Sequence, residues 1–149
     1  MESMFNNVHV NASLFEGKGL SGWNIEKCKS MKSMFAGAAL FNEDLSGWKV
    51  EKCTNMNQMF AHAKFFNQDL SSWNVEKCKD MELMFSTTDS FTSDLNSWDV
   101  KNVENVEKMS HMFNDSYFSG DISRWNVKNV KIVSHTFYSA WEFAGGGLK

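Results

Sequence analysis

The chain has 149 residues, 42% of them hydrophobic, with 6 Trp, 2 Tyr, 13 Phe, 10 Met, 3 Cys and no Pro. That is one domain's worth of sequence and enough apolar material for a core, which excludes intrinsic disorder. The net charge of −3 is spread evenly, with 7 basic and 7 acidic residues up to position 75 and 8 and 11 after it, so neither half is a basic platform for nucleic acid or anionic lipid. The longest stretch without a strongly polar side chain, Met34 to Phe41, is too short to span a bilayer, and the N-terminus lacks the basic-then-apolar plan of a secretory signal.

Residues 1–19 read as an N-terminal partial repeat or cap, with Met4-Phe5 and Leu14-Phe15 on either side of an irregular insertion. From Leu20 onward the sequence repeats. Tryptophans fall at Trp23, Trp48, Trp73, Trp98 and Trp125, spaced 25, 25, 25 and 27 residues apart. Three positions before each stands Leu20, Leu45, Leu70, Leu95 or Ile122, and two after it Ile25, Val50, Val75, Val100 or Val127. Five after it comes Cys28, Cys53, Cys78, Val103 or Val130. The spacing Leu45-x-x-Trp48-x-Val50-x-x-Cys53 is that of a leucine-rich-repeat strand, and the alternation of Trp48 with Val50 suits a half-buried strand.

After the Cys position the apolar period changes to three and four. Cys53, Met56, Met59, Phe60 and Ala63 predict a short helix with one buried face. Ser30, Asn55, Asp80 and Asn105 stand directly before its first Met and predict N-caps, whereas Ile132 in the fifth block predicts a poorly capped start. The fourth block inserts three residues between Val103 and Phe113, which reads as almost one extra helical turn. Asn, Asp, Ser and Gly cluster where the coils turn corners. Tyr138, Trp141 and Phe143, followed by Gly145 to Gly147, read as a C-terminal cap and flexible tail over 138–149. The expectation is therefore one α/β repeat domain over 1–149: a leucine-rich-repeat-like right-handed solenoid of about five 25-residue strand–short-helix repeats, spanning 20–137.

The phrases Leu20-Ser-Gly-Trp-Asn-Ile, Phe41-Asn-Glu-Asp-Leu-Ser-Gly-Trp-Lys-Val and Phe66-Asn-Gln-Asp-Leu-Ser-Ser-Trp-Asn-Val give the chain a family resemblance over about Met4 to Phe137. It resembles the BspA-like surface-protein repeat, a leucine-rich-repeat relative whose motif runs roughly FNQDLSSWDVSNVTDMSxMFxxA. The resemblance implies an interaction module, often carried on bacterial lipoproteins and adhesins, with no catalytic residues to carry over. Two departures stand out: Glu-Lys-Cys replaces Ser-Asn-Val in three blocks, and no lipoprotein signal, lipobox or wall anchor is seen.

Four sets of residues are candidate sites. Cys28, Cys53 and Cys78 share a column with Val103 and Val130, so they read as core packing, with a disulfide or thiolate metal site as the alternatives. Asp44, Asp69, Asp94 and Asp121 each precede the first Leu or Ile of a block. They read as Asx-turn residues, with Ca²⁺ binding as the alternative. The outward positions Asn24, Glu26, Lys49, Glu51, Asn74, Glu76, Asp99, Lys101, Arg124, Asn126 and Lys128 form a polar, nearly neutral face, the one expected to touch a partner. His111 and His135 fall in one column, either as exposed residues on a helical flank or as a paired-imidazole metal site.

No nucleophile, base and oxyanion arrangement and no phosphate loop is present in the sequence, so no enzyme activity, cofactor or metal is expected. The leading expectation is a protein–protein interaction or scaffolding module, docked in a larger assembly or stacked end to end. A cell-surface adhesion module is the alternative, and a Ca²⁺- or metal-stabilised structural repeat the third. Free core thiols and the missing signal lean towards an intracellular location, the family resemblance towards the cell surface.

Overall fold

A computed structural model describes residues 12–100, 109–127 and 135–140. The strand–short-helix architecture is not what the chain adopts. Among the described residues there is no α-helix and no strand: the only helical pieces are two 3-10 turns, Ala12–Leu14 and Leu20–Gly22. Among the described residues the only β pairings are two isolated parallel bridges, Ser30 to Asn55 and Asn55 to Asp80. The repeat instead winds as successive coils made almost wholly of tight turns.

The expected strand is broken twice by turns. The Trp48 amide donates to the Leu45 carbonyl at 3.0 Å and the Cys53 amide to Val50 at 2.8 Å, and the other coils repeat these bonds at Trp23, Trp73, Trp98 and Trp125, and at Cys28 and Cys78. A residue and the third after it can share a face in a turn as readily as in a strand-and-loop segment. Leu45, Trp48, Val50 and Cys53 are all buried as the sequence requires, but without an extended chain.

The expected helix fails for a sharper reason. In an α-helix every amide turns back to the carbonyl four residues earlier. Here alternate amides do different things. Those of Met59, Ala61 and Ala63 close i to i+3 turns on Met56, Gln58 and Phe60, while those of Met56, Gln58, Phe60 and His62 donate to Asp80, Glu82, Met84 and Ser86 of the next coil at 2.8 to 2.9 Å. The alternation is produced by left-handed backbone at two positions per coil. Ser33, Gln58, Leu83 and His111 form one column with φ between 53° and 56°; Gly37, His62, Thr87, Asp115 and Ser139 form the other, with φ from 51° to 77°. Apart from His111, each is the third residue of a hydrogen-bonded turn, the type II arrangement, which flips a peptide and interrupts the helix. Only Gly37 takes this conformation without steric cost. The other residues bear about 1 kcal/mol each, offset by the backbone bonds that the flipped peptides make to the next coil.

Ser30, Asn55 and Asp80 keep their role as side-chain acceptors, but at a turn. Their Oγ or Oδ1 atoms accept the amides of Lys32, Asn57 and Glu82, two residues on.

The cross-coil bonds hold the coils in parallel register, and the core follows. Within each coil two Phe rings lie face to face, Phe35 with Phe41, Phe60 with Phe66, and Phe113 with Phe118 at 4.0 Å, and Phe85 with Phe91 at 4.2 Å. Between coils the first ring of each pair repeats at 5.4 to 5.6 Å from Phe35 to Phe137. Each indole ties its coil to the one before, as Trp48, Trp73, Trp98 and Trp125 Nε1 donate to the carbonyls of Leu20, Leu45, Leu70 and Leu95 at 2.8 to 3.0 Å. The three-residue insertion of the fourth block does not disturb this register: Leu83 and Phe85 still donate to Ser110 and Met112. The N-terminal insertion up to Asn11, the inserted stretch Val103 to Lys108, Val130, Ile132, and the C-terminal Trp141, Phe143 and glycine run lie outside the described residues.

Candidate interaction surface

The predicted polar face lies on turn corners, not on a flat strand surface. Asn24, Glu26, Lys49, Glu51, Asn74, Glu76, Arg124 and Asn126 are exposed and Asp99 is half-buried, while Lys101 and Lys128 lie outside the described residues. Local chemistry shapes it: Asn24 and Asn74 Oδ1 accept the amides of Glu26 and Glu76. Between coils, Lys49 Nζ meets Glu26 Oε1 at 2.9 Å. That contact lowers the Glu26 carboxyl and raises the Lys49 ammonium from their ordinary values, first through the hydrogen bond and then through charge attraction. Both groups are fully in water, so the pair orients side chains more than it stabilises the fold.

The Asp column forms Asx-turns throughout. Asp44, Asp69, Asp94 and Asp121 Oδ1 accept the amides of Ser46, Ser71, Asn96 and Ser123 at 2.7 to 2.8 Å. For Asp44, Asp69 and Asp121 the backbone bond, and then the serine hydroxyl, hold the carboxyl below its usual range. Among the described residues no group of three or more His, Cys, Asp or Glu side chains is arranged to hold a metal ion.

The cysteines are free thiols in one column, Cys53 and Cys78 buried and Cys28 half-buried. Each Sγ faces the carbonyl two residues on, at Ser30, Asn55 or Asp80. Burial pushes the Cys53 thiol up to about 11 and the Cys78 thiol up to about 12, so neither is a nucleophile at neutral pH. One polar knot sits among these apolar columns. Buried Asn57 donates from Nδ2 to Asp80 Oδ1 and Glu82 Oε2, and its own Oδ1 is left without a partner.

One surface feature goes beyond what the column pattern predicts. Leu40, Phe65 and Tyr117 stand in a single column and are 39%, 56% and 46% exposed, with Ser90 at the equivalent place in the coil between Phe65 and Tyr117. Cross-coil backbone bonds run at two positions of the column, Phe65 N to Ala39 O and Ser90 N to Lys64 O, both at 3.1 Å. The signal was in the sequence as the doublets Leu40-Phe41, Phe65-Phe66 and Tyr117-Phe118. At a tight corner only one of two neighbouring side chains can enter the core, and the second of each pair does so.

A family model described as "Mycoplasma protein of unknown function, DUF285" matches residues 1–109 and 101–147. The chain belongs to this family. The two DUF285 matches together run across both the turn-built coils and the inserted fourth block. No curated protein and no solved structure matches the chain. No described helix is long and apolar enough to cross a membrane.

Proposed function

We propose that this DUF285 chain is a non-enzymatic protein-interaction or scaffolding unit that works through its surface. The observation that carries the reading is the exposed column of Leu40, Phe65 and Tyr117 on a frame where, among the described residues, the other Phe rings are mostly buried. Exposed aromatic side chains such as Phe65, whose amide is tied to the preceding coil, are the kind of anchor that protein interfaces bury at their centre. The polar corners at Lys49, Glu51 and Asp99 are a second, separate contact in the same reading. Photo-crosslinking from position 65 in the source cell tests this. A protein captured from position 65 but not from exposed Lys77, and lost on Tyr117→Ser, supports the reading. Capture that is the same from both positions, or indifferent to Tyr117→Ser, overturns it. End-to-end stacking of the coils remains part of the proposal, and concentration-dependent sedimentation reads it directly.

The resemblance to BspA-like repeats favours a second reading, an adhesion module displayed on the cell surface. Protease treatment of intact cells separates the two. Loss of the chain places it outside the cell, and full protection removes this reading.

A further inference from the structure

Most polar side chains in this molecule recur because the coils repeat, but one pair does not. The column Ser33, Gln58 and Leu83 ends in His111 and His135, the only place in the sequence where two imidazoles occupy equivalent positions in successive repeats. Both residues open a turn, closed by Asn114 N on His111 O at 3.0 Å and by Tyr138 N on His135 O at 3.3 Å. The two coils are locked to each other by Phe113 N to Thr136 O at 2.9 Å and Asp115 N to Tyr138 O at 3.1 Å. The backbone therefore fixes the separation of the two side chains, and their rings are stacked, with centroids 5.1 Å apart and planes 25° from parallel. The Tyr138 ring stands against His135 at 6.4 Å, tilted by 40°. His111 is half-buried and His135 exposed, so an ion can reach the pair from solvent.

We propose that His111 and His135 form a two-imidazole site for a borderline divalent transition-metal ion, with water completing its coordination. Neutral imidazole is a ligand for such ions, with metal–nitrogen bonds of about 2.0–2.1 Å. Rotation of the two side chains about χ1 and χ2 turns one nitrogen of each ring towards a shared ion, with no movement of the coils. The affinity order is that of nitrogen sites in general, Cu²⁺ above Ni²⁺, with Mg²⁺ excluded because it demands oxygen ligands. An ion held here staples the fifth coil to the fourth.

The test is calorimetric titration of the whole chain with Ni²⁺, which does not oxidise the three thiols, together with nitrogen hyperfine structure in the Cu²⁺ spectrum. The expected result is one Ni²⁺ per chain with micromolar affinity, two imidazole nitrogens on Cu²⁺, and no heat with Mg²⁺. His111→Gln and His135→Gln each weaken binding at least tenfold, whereas His62→Gln, which removes a lone exposed imidazole, changes nothing. Gln58 already occupies the same column, so glutamine is compatible with the fold at this position. An absence of stoichiometric binding, or affinity unchanged in both variants, overturns the proposal.

Discussion

The two halves of the second coil, Leu45 to Cys53 and Met56 to Ala63, are both built from i to i+3 turns, yet different groups tie them to their neighbours. In the Met-Phe half the work is done by main chain, four amides of one coil donating to four carbonyls of the next. In the Trp half, Trp73 Nε1 reaches back to Leu45 O and Ser72 Oγ to Ser46 O, and the nearest cross-coil backbone bond, Thr54 N to Lys29 O, lies just past Cys53. The first mode is set by backbone conformation and is indifferent to which side chain projects outward. The second depends on one side chain with an N–H at its far end. This contrast explains why the left-handed columns accept Ser, Gln, Leu, His, Thr, Asp and Gly while the indole column never varies.

The largest test of the contrast removes what both halves share. Phe85 stacks on Phe60 and Phe113 at 5.6 Å and on Phe91 at 4.2 Å, and its ring also meets Trp98 at 6.2 Å. Phe85→Ala is expected to cost about 3–5 kcal/mol in urea unfolding, and a loss below 1 kcal/mol would mean that the stacked rings are not the core. Trp73→Phe keeps an aromatic ring but removes the donor to Leu45 O, with an expected cost of about 2 kcal/mol from the lost bond and the lost volume together. If Trp73→Phe is neutral, the indole is filler and the two halves do not differ as argued.

The Trp half should also be the one that fails in alkali. Cys53 and Cys78 have native values of about 11 and about 12 against an ordinary 9.0. Below pH 9 both folded and unfolded chains hold these protons, so the contribution is constant. Above it the unfolded chain releases them and the native one does not, so stability falls by about 1.4 kcal/mol per thiol for each pH unit until the native values are reached. Cys53→Val with Cys78→Val, the side chain that Val103 and Val130 carry in the same column, should flatten the unfolding free energy between pH 9 and 10.5. An unchanged slope contradicts burial of the thiols.

The smallest effect belongs to the Met-Phe half. Gln58 sits at φ 55°, where Gly is relaxed and a β-branched residue is strained. Gln58→Gly should leave the melting temperature unchanged or raise stability by up to about 1 kcal/mol, and Gln58→Val should lower it by a similar amount. The reverse order would show that the left-handed conformation is not what aims the cross-coil amides.

Burial was legible in the sequence almost residue by residue. Leu45, Trp48, Val50, Cys53, Met56, Met59, Phe60 and Phe66 are all in the core, as their columns predict. The Asp turns were legible too, because an Asx-turn is a local bond between residues two apart. The element types were not. Spacings of three and four are common to an amphipathic helix and to a chain of type II turns, and no residue in the Gln58 or Leu83 positions announces left-handed backbone as a glycine would. The exposed column of Leu40, Phe65 and Tyr117 is not legible either, because apolar doublets look like core until a corner forces one member outward.

By itself, then, the sequence determined the repeat length, the register, the columns and which side of the chain faces in. These follow from side-chain polarity and from position along the chain. Only the tertiary structure decided how the backbone spans the distance between those columns. A helix satisfies its amides within its own turn, whereas these coils give every second amide of the Met-Phe half to a neighbour, a choice that exists only once another coil lies alongside to accept it.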